Sequence, residues 1–367
     1  IQHCYISVVG DTNASNEIYG IRISSFIKPL IIQHCYISVR GTNSYPSSCG
    51  IRAYSSEDGC PIRISENYFE TASYGLDMQY LISSEIVNNT FLGKGKIYLH
   101  WCSGVSIANN TFQYSKSLRV GDSEKITIEN NTFIATDVGI DLFSVSNSTI
   151  RSNLLINCST AGLRLAYPSY LNFTNNKLYR CGLAIYEGLI GKKSITCRFE
   201  NNTVNDLPLA VFINLREDNY IIDGHYGQIV LINCSSIIIT NQYFAFSQNA
   251  IYLQHSFYIS IVNSTFYKNL GSAIYVDSGY IFICNNSFIA NECGIYAYDT
   301  YHFIVSYNTF CNQTSEAISS FETMNDFDHV HHNNFINNNI NGSHQIGDKV
   351  RGTFYDRTTG EGNYWSD

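Results

Sequence analysis

A segment of about 22 residues returns along this chain from one end to the other, and nothing else in the sequence restricts the fold as much. The octapeptide IQHCYISV at 1–8 recurs unchanged at 32–39. A looser N-N-T-F motif follows, ending at Phe91, Phe112 and Phe133, with degenerate copies ending at Phe69, Leu155, Leu178, Val204, Tyr226, Phe244, Phe266, Phe288, Phe310 and Phe335. Successive copies from Phe69 are 21 to 26 residues apart, with one step of 18, and Ile6 and Ile37 bring the total to fifteen. A period near 22 held this long means a solenoid in which each repeat is one coil.

Each copy carries a second landmark, a small residue followed by alternating apolar positions, as in GIDLF at 139–143, GLRLA at 162–166, AIYLQ at 250–254 and GIYAY at 294–298. Period-two alternation marks strands with one buried face. Twenty-two residues hold three short strands and their turns, and the LxxLxLxxN pattern of leucine-rich repeats is absent. The 46 Ile and 28 Tyr favour strands, the 39 Asn favour turns, and 44% hydrophobic residues suffice for a large core. The expectation is an all-β parallel β-helix of about fifteen coils over 1–340, followed by an irregular tail, 341–367, that carries GNYWSD. At about 4.8 Å per coil such a rod is roughly 70 Å long. Two residues before each motif end stand Asn67, Asn89, Asn110, Asn131, Asn153, Asn176, Asn202, Asn286, Asn308 and Asn333, with Gly224 in the same column. This column is expected to supply a left-handed turn residue and a ladder of stacked amides.

The N-N-T-F and G-I-x-L copies resemble the right-handed, single-stranded parallel β-helix repeats of pectin-lyase-like proteins. NosD-like proteins and carbohydrate-binding CASH proteins of archaeal surfaces are the most similar groups, and GNYWSD, Gly362 to Asp367, matches a tail often seen in them. The resemblance covers nearly the whole chain and implies the fold. Function does not follow from it, because this architecture hosts lyases, hydrolases, adhesins and structural proteins.

The net charge of −8 and the lack of a basic block argue against nucleic acid as a partner. No apolar run reaches the length of a membrane span. The chain opens inside a strand-like stretch without an initiating Met, as a processed or partly represented chain would. Twelve Cys without a CxxC pair point to oxidising surroundings. By register, Cys4 with Cys35 and Cys158 with Cys181 occupy shared columns in consecutive coils, and Cys49 with Cys60 bracket one loop, so these six are the disulfide candidates. Cys102, Cys197, Cys234, Cys284, Cys293 and Cys311 have no partner by this criterion.

Thirteen N-x-S/T sequons, at Asn13, Asn88, Asn109, Asn130, Asn147, Asn157, Asn172, Asn201, Asn233, Asn263, Asn285, Asn312 and Asn341, suit a glycosylated extracellular protein, although six of them are by-products of the repeat. One outward column runs Arg22, Arg52, Asp77, Tyr98, Arg119, Asp141, Arg164, Ala184, Phe212, Val230, Tyr252, Tyr275, Tyr296. Its Tyr252, Tyr275 and Tyr296, with Tyr298 beside them, form an aromatic strip suited to carbohydrate, or a plain ladder between stacked strands. Asp141, Arg119 and His100 are the residues an enzyme would use. Asp77 and Asp141, however, lie three coils apart, roughly 14 Å, beyond the spacing of paired glycosidase carboxylates. His329 and His331 share a strand face and could hold copper or zinc, with Asp328 and His332 on the opposite face. The resemblance adds copper delivery and calcium as further expectations, and no residue demands a cofactor. The reading is a secreted, glycosylated cell-surface β-helix with a structural or adhesive role, binding carbohydrate or other surface components and stacking end to end with copies of itself. A polysaccharide lyase or glycoside hydrolase is one alternative and a NosD-like copper-delivery protein the other.

Overall fold

The structure is a computed structural model that describes residues 1–9, 18–24, 26, 28–40, 48–54, 60–185, 196–298, 300–320, 329–340, 342, 344–347, 349–350 and 353–366. Among these every regular element is a strand. The chain forms the expected right-handed parallel β-helix, with about 12 turns of about 22 residues. That is slightly fewer than the fifteen copies in the sequence. One difference is local: the copy ending at Tyr226 builds no strand over 223–227. Two compact units result, Ile1–Asn202 and Thr203–Asp367.

In the first unit one coil consists of the strands Lys96–His100, Ser106–Ala108 and Thr111–Gln113. The next repeats them as Leu118–Glu124, Thr127–Glu129 and Thr132–Ile134. Pairing between coils is parallel and in register, Tyr98 opposite Arg119, Ile107 opposite Ile128 and Phe112 opposite Phe133. The one-coil offset therefore stacks like on like. Phe69, Phe91, Phe112 and Phe133 form a buried ring stack with centroids 4.7, 5.0 and 4.5 Å apart. Leu155 and Leu178 continue the column where the repeat degenerates.

The Asn column behaves in two ways, and only one was expected. The amides do form a ladder: Asn89 Oδ1 accepts from both the backbone and the side-chain N–H of Asn67, each at 3.0 Å, and the pattern repeats through Asn110, Asn131, Asn153, Asn176 and Asn202. The left-handed residue, however, is the one before. Asn88, Asn109, Asn130 and Asn201 have φ between 52° and 56° and are exposed, while the ladder residues are buried without positive φ. The backbone turn and the amide ladder need different residues, and the repeat supplies Asn for both. Gly224 meets neither need, since the described glycines with positive φ are Gly93, Gly104 and Gly360.

The second unit opens on a tight hairpin, Thr203 opposite Pro208 and Val204 opposite Leu207, with Asn205 and Asp206 both left-handed as such a turn requires. Regular coils follow around the stack Phe244, Phe266, Phe288, Phe310, Phe335. Two amide ladders run beside it, one through Asn286, Asn308 and Asn333, the other through Asn269, Asn291, Gln313 and Asn338. The expected irregular tail ends in order. Tyr364–Ser366 pair in parallel with Asn334–Ile336, Trp365 stacks on Phe335 at 4.4 Å, and Asn363 accepts two hydrogen bonds from Asn333. GNYWS thus supplies one further amide and one further ring to the same columns.

Candidate metal centre and the outward faces

In the second unit the strand His329–His331 presents His329 and His331 outward on either side of buried Val330. His332 was assigned to the opposite face by alternation. It instead occupies the left-handed corner, with φ of 55°, where Asn285 sits two coils earlier and Tyr307 one coil earlier. That turn swings its ring beside its neighbour's, so that His331 Nδ1 and His332 Nδ1 lie 2.7 Å apart. Tyr307 stacks on His332 at 4.7 Å and supports it from the coil before.

The tail completes the cluster. A turn closed by Gly360 N–H to the Asp356 carbonyl, 2.7 Å, folds the segment back, and His332 N–H donates to the Gly362 carbonyl at 2.9 Å. One ligand atom each from His331, His332 and Asp356 then falls within 4.8 Å of the others, the one such group among the described residues. His329 is not part of it, and Asp328 lies outside the described residues. Glu361 Oε2 bonds His332 Nε2 at 2.7 Å and fixes the ring from behind. Burial, and then the neighbouring His332, hold His331 below the usual imidazole range, which favours the neutral ring. Backbone N–H groups of Thr358 and Thr359 hold the Asp356 carboxyl below its ordinary value. Sequence reasoning missed Asp356 because no repeat register extends into the tail. It missed His332 because strand alternation fails at a corner.

The other expected sites fare differently. Tyr252 is only 3% exposed, and Tyr275, Tyr296 and Tyr298 are half-buried. Tyr252 stacks on Tyr275 at 4.7 Å and Tyr275 on Tyr296 at 5.7 Å, so their ring faces cover one another rather than standing open to a sugar. In the first unit Asp141 is buried, and both its oxygens take the Arg164 guanidinium, the Nε bond being 2.8 Å. Arg119 Nε lies 3.7 Å from the same carboxylate. His100 does not join them: its Nε2 pairs with Asp122 at 2.7 Å and its ring stacks on Trp101. Asp77 pairs with Arg52 at 2.9 Å.

None of the expected pairs is joined by a disulfide in this structure. Cys4 and Cys35 each donate to the carbonyl two residues earlier, of Gln2 and Gln33, both at 3.2 Å. Equal side-chain directions in stacked coils keep the sulfurs a coil apart instead of turning them together. Cys49 donates to the Ile51 carbonyl, and the residues 55–59 between it and Cys60 lie outside the described ones. Cys158 and Cys181 are buried neighbours that share a hydrogen bond, which holds the Cys158 thiol down and pushes the Cys181 thiol up. Of the sequon asparagines, Asn13 and Asn341 lie outside the described residues. Asn88, Asn109, Asn130, Asn147, Asn157, Asn201, Asn233, Asn263, Asn285 and Asn312 all sit on left-handed corners, whereas Asn172 lies within the strand Ser169–Thr174.

Residues 183–367, half of the chain, match the family described as periplasmic copper-binding protein (NosD). The chain belongs to the NosD family. An overlapping stretch, 83–214, matches the right handed beta helix region. No curated protein matches the sequence. Among solved structures the NosD-family chain is similar to the A-module of the mannuronan C-5 epimerase AlgE4 of Azotobacter vinelandii, with 13% identity over 96% of this chain and 91% of that one and a TM-score of 0.33. The Agl-KA catalytic domain shows 10% identity over 96% and 62% of the two chains, with a TM-score of 0.30. A Geobacillus virus E2 protein, ORF18, shows 11% over 84% and 53%, with a TM-score of 0.26. Among the described residues no helix is long and apolar enough to cross a membrane.

Proposed function

We propose that this NosD-family chain works outside the cytoplasm as a β-helical metal-binding protein that carries copper at His331, His332 and Asp356. The observation behind this reading is the pair of Nδ1 atoms 2.7 Å apart, joined by a carboxylate within 4.8 Å. Without an ion that pair is a hydrogen bond between the two rings. With one, the two nitrogens and the oxygen form a borderline donor set that suits copper(II), zinc or nickel, and the lack of sulfur disfavours copper(I). The match to a family described as periplasmic and copper-binding supports copper among these. Three ligands leave coordination positions open, which is what handing an ion on by ligand exchange requires. The Glu361 bond to His332 and the Tyr307 stack hold one ring in place whether or not the ion is bound.

Titrating the full chain with copper(II), followed by its visible absorption, tests this. One saturable equivalent is expected, lost in His332→Ala and retained in His329→Ala. Absence of saturable binding, or equal binding by His332→Ala, would sink the assignment.

A glycosylated surface role is a second reading, supported by the exposure of the corner sequons such as Asn88, Asn109, Asn130 and Asn285. A left-handed corner presents the side chain away from the sheet, where a glycan meets no neighbouring strand. The enzymatic reading has less support, because Asp141 has both oxygens bonded to Arg164.

A further inference from the structure

We propose that the outward face of the first unit around Lys96 and Arg119 is an oxyanion-binding site, independent of the metal centre. In register across four coils, Tyr98 stands opposite Arg119, Arg119 opposite Asp141 and Asp141 opposite Arg164. Lys96, two residues before Tyr98 on the same face, holds its Nζ 5.3 Å from that ring's centre. Three cations thus surround a single carboxylate, and Arg164 already takes both of its oxygens.

The remaining two cations have no side-chain hydrogen bond to an acid. Arg119 Nε is 3.7 Å from Asp141 Oδ2, beyond hydrogen-bond length, and its guanidinium rests 6.0 Å from the Phe143 ring. Neither the Lys96 nor the Arg119 side chain is hydrogen-bonded to a described residue. Both are half-buried, so their donors have left part of their water without gaining an acceptor. The same imbalance appears in the lysine itself: burial, and then Arg119, push the Lys96 amine below its ordinary range, with Arg164 and Lys116 adding to this and Asp141 opposing it.

The other acids on this face are committed. Asp77 pairs with Arg52 at 2.9 Å, and Asp122 pairs with His100 at 2.7 Å. The positive excess therefore belongs to this spot and not to the face as a whole. Aromatic rings, rather than acids, hold the two cationic heads, so their donors stay available for a ligand. An oxyanion would supply the missing acceptors through charge-assisted bonds, and the flat guanidinium of Arg119 suits two parallel ones. The ligand class is a carboxylate, sulfate or phosphate, free or carried on an acidic sugar chain.

Calorimetric titration of the full chain at low salt with inorganic sulfate, inorganic phosphate and a uronic-acid oligomer tests the site. Saturable binding of at least one probe is expected, weakened by about tenfold or more in the double variant Lys96→Gln/Arg119→Gln. Asp141→Asn should act in the opposite direction and tighten binding, because it removes the negative charge beside the site. Circular dichroism and melting confirm that each variant is folded, and if Asp141→Asn does not fold the double variant decides. Binding of the inorganic ions identifies a free oxyanion, and binding of the oligomer alone identifies a sugar-borne one. No binding of any probe up to millimolar concentration, or unchanged binding by the folded double variant, overturns the proposal.

Discussion

Asn130 and Asn131 are neighbours of one residue type with opposite tasks. Asn130 is exposed with φ of 54°. Asn131 is 1% exposed, accepts the backbone and side-chain N–H of Asn110, and donates to the Ile107 carbonyl and to Asn153. Removing the inner amide strands the backbone N–H of Asn110 in a dry column, while its side-chain N–H groups keep the Ile86 and Ala108 carbonyls. Asn131→Ala is expected to cost about 2–3 kcal/mol, against less than about 1 kcal/mol for Asn130→Gly, which keeps the corner geometry. Denaturant unfolding of the two variants checks this, and equal losses would contradict the division of labour. The sequence shows the Asn pair plainly. Which member turns the backbone and which bonds inside is decided by the corner, where strand alternation stops.

At the level of the element, the three strands of each coil were legible because their alternation is local. The ring column is legible too, and the chain itself shows its tolerance, since Leu155 and Leu178 stand in register with Phe133. Phe112 lies between Phe91 and Phe133 at 5.0 and 4.5 Å with no exposure. Phe112→Ala should therefore cost about 3–5 kcal/mol, because it opens a cavity that the flanking rings cannot close. Phe112→Leu should cost less than about 1.5 kcal/mol. Urea midpoints with an unchanged slope would report this, and a similar loss in both variants would mean that ring stacking dominates over volume. The tyrosine strip shows the limit of column counting. A column of like residues says they stack, and stacking itself hides the faces that a sugar would need.

Across the whole molecule, each unit buries thiols that stay protonated to high pH: burial pushes Cys102 up to about 11 in the first and Cys293 up to about 12 in the second. Unfolding releases these thiols to ionise near 9.0, their ordinary value. The folded state then binds more protons than the unfolded one above that pH, so stability should be level below about 9 and fall as pH rises toward 12. Unfolding measured across that range checks the slope, and Cys293→Ala should flatten it. What the sequence determined by itself was everything its period encodes: coil length, strand faces, the ring and amide columns and hence the β-helix. These features repeat, and each depends only on a neighbour one coil away. The tertiary structure decided what the period leaves open. The path of the tail brings Asp356 to His331 and His332, and the corner turn swings His332 beside His331. Equal side-chain directions keep Cys4 and Cys35 apart. The Lys96 and Arg119 side chains emerge without a hydrogen-bonded acid because Asp141 gives both its oxygens to Arg164. Those outcomes depend on corner dihedrals and on which of several like neighbours a side chain meets, and a repeat written identically in many coils does not specify either.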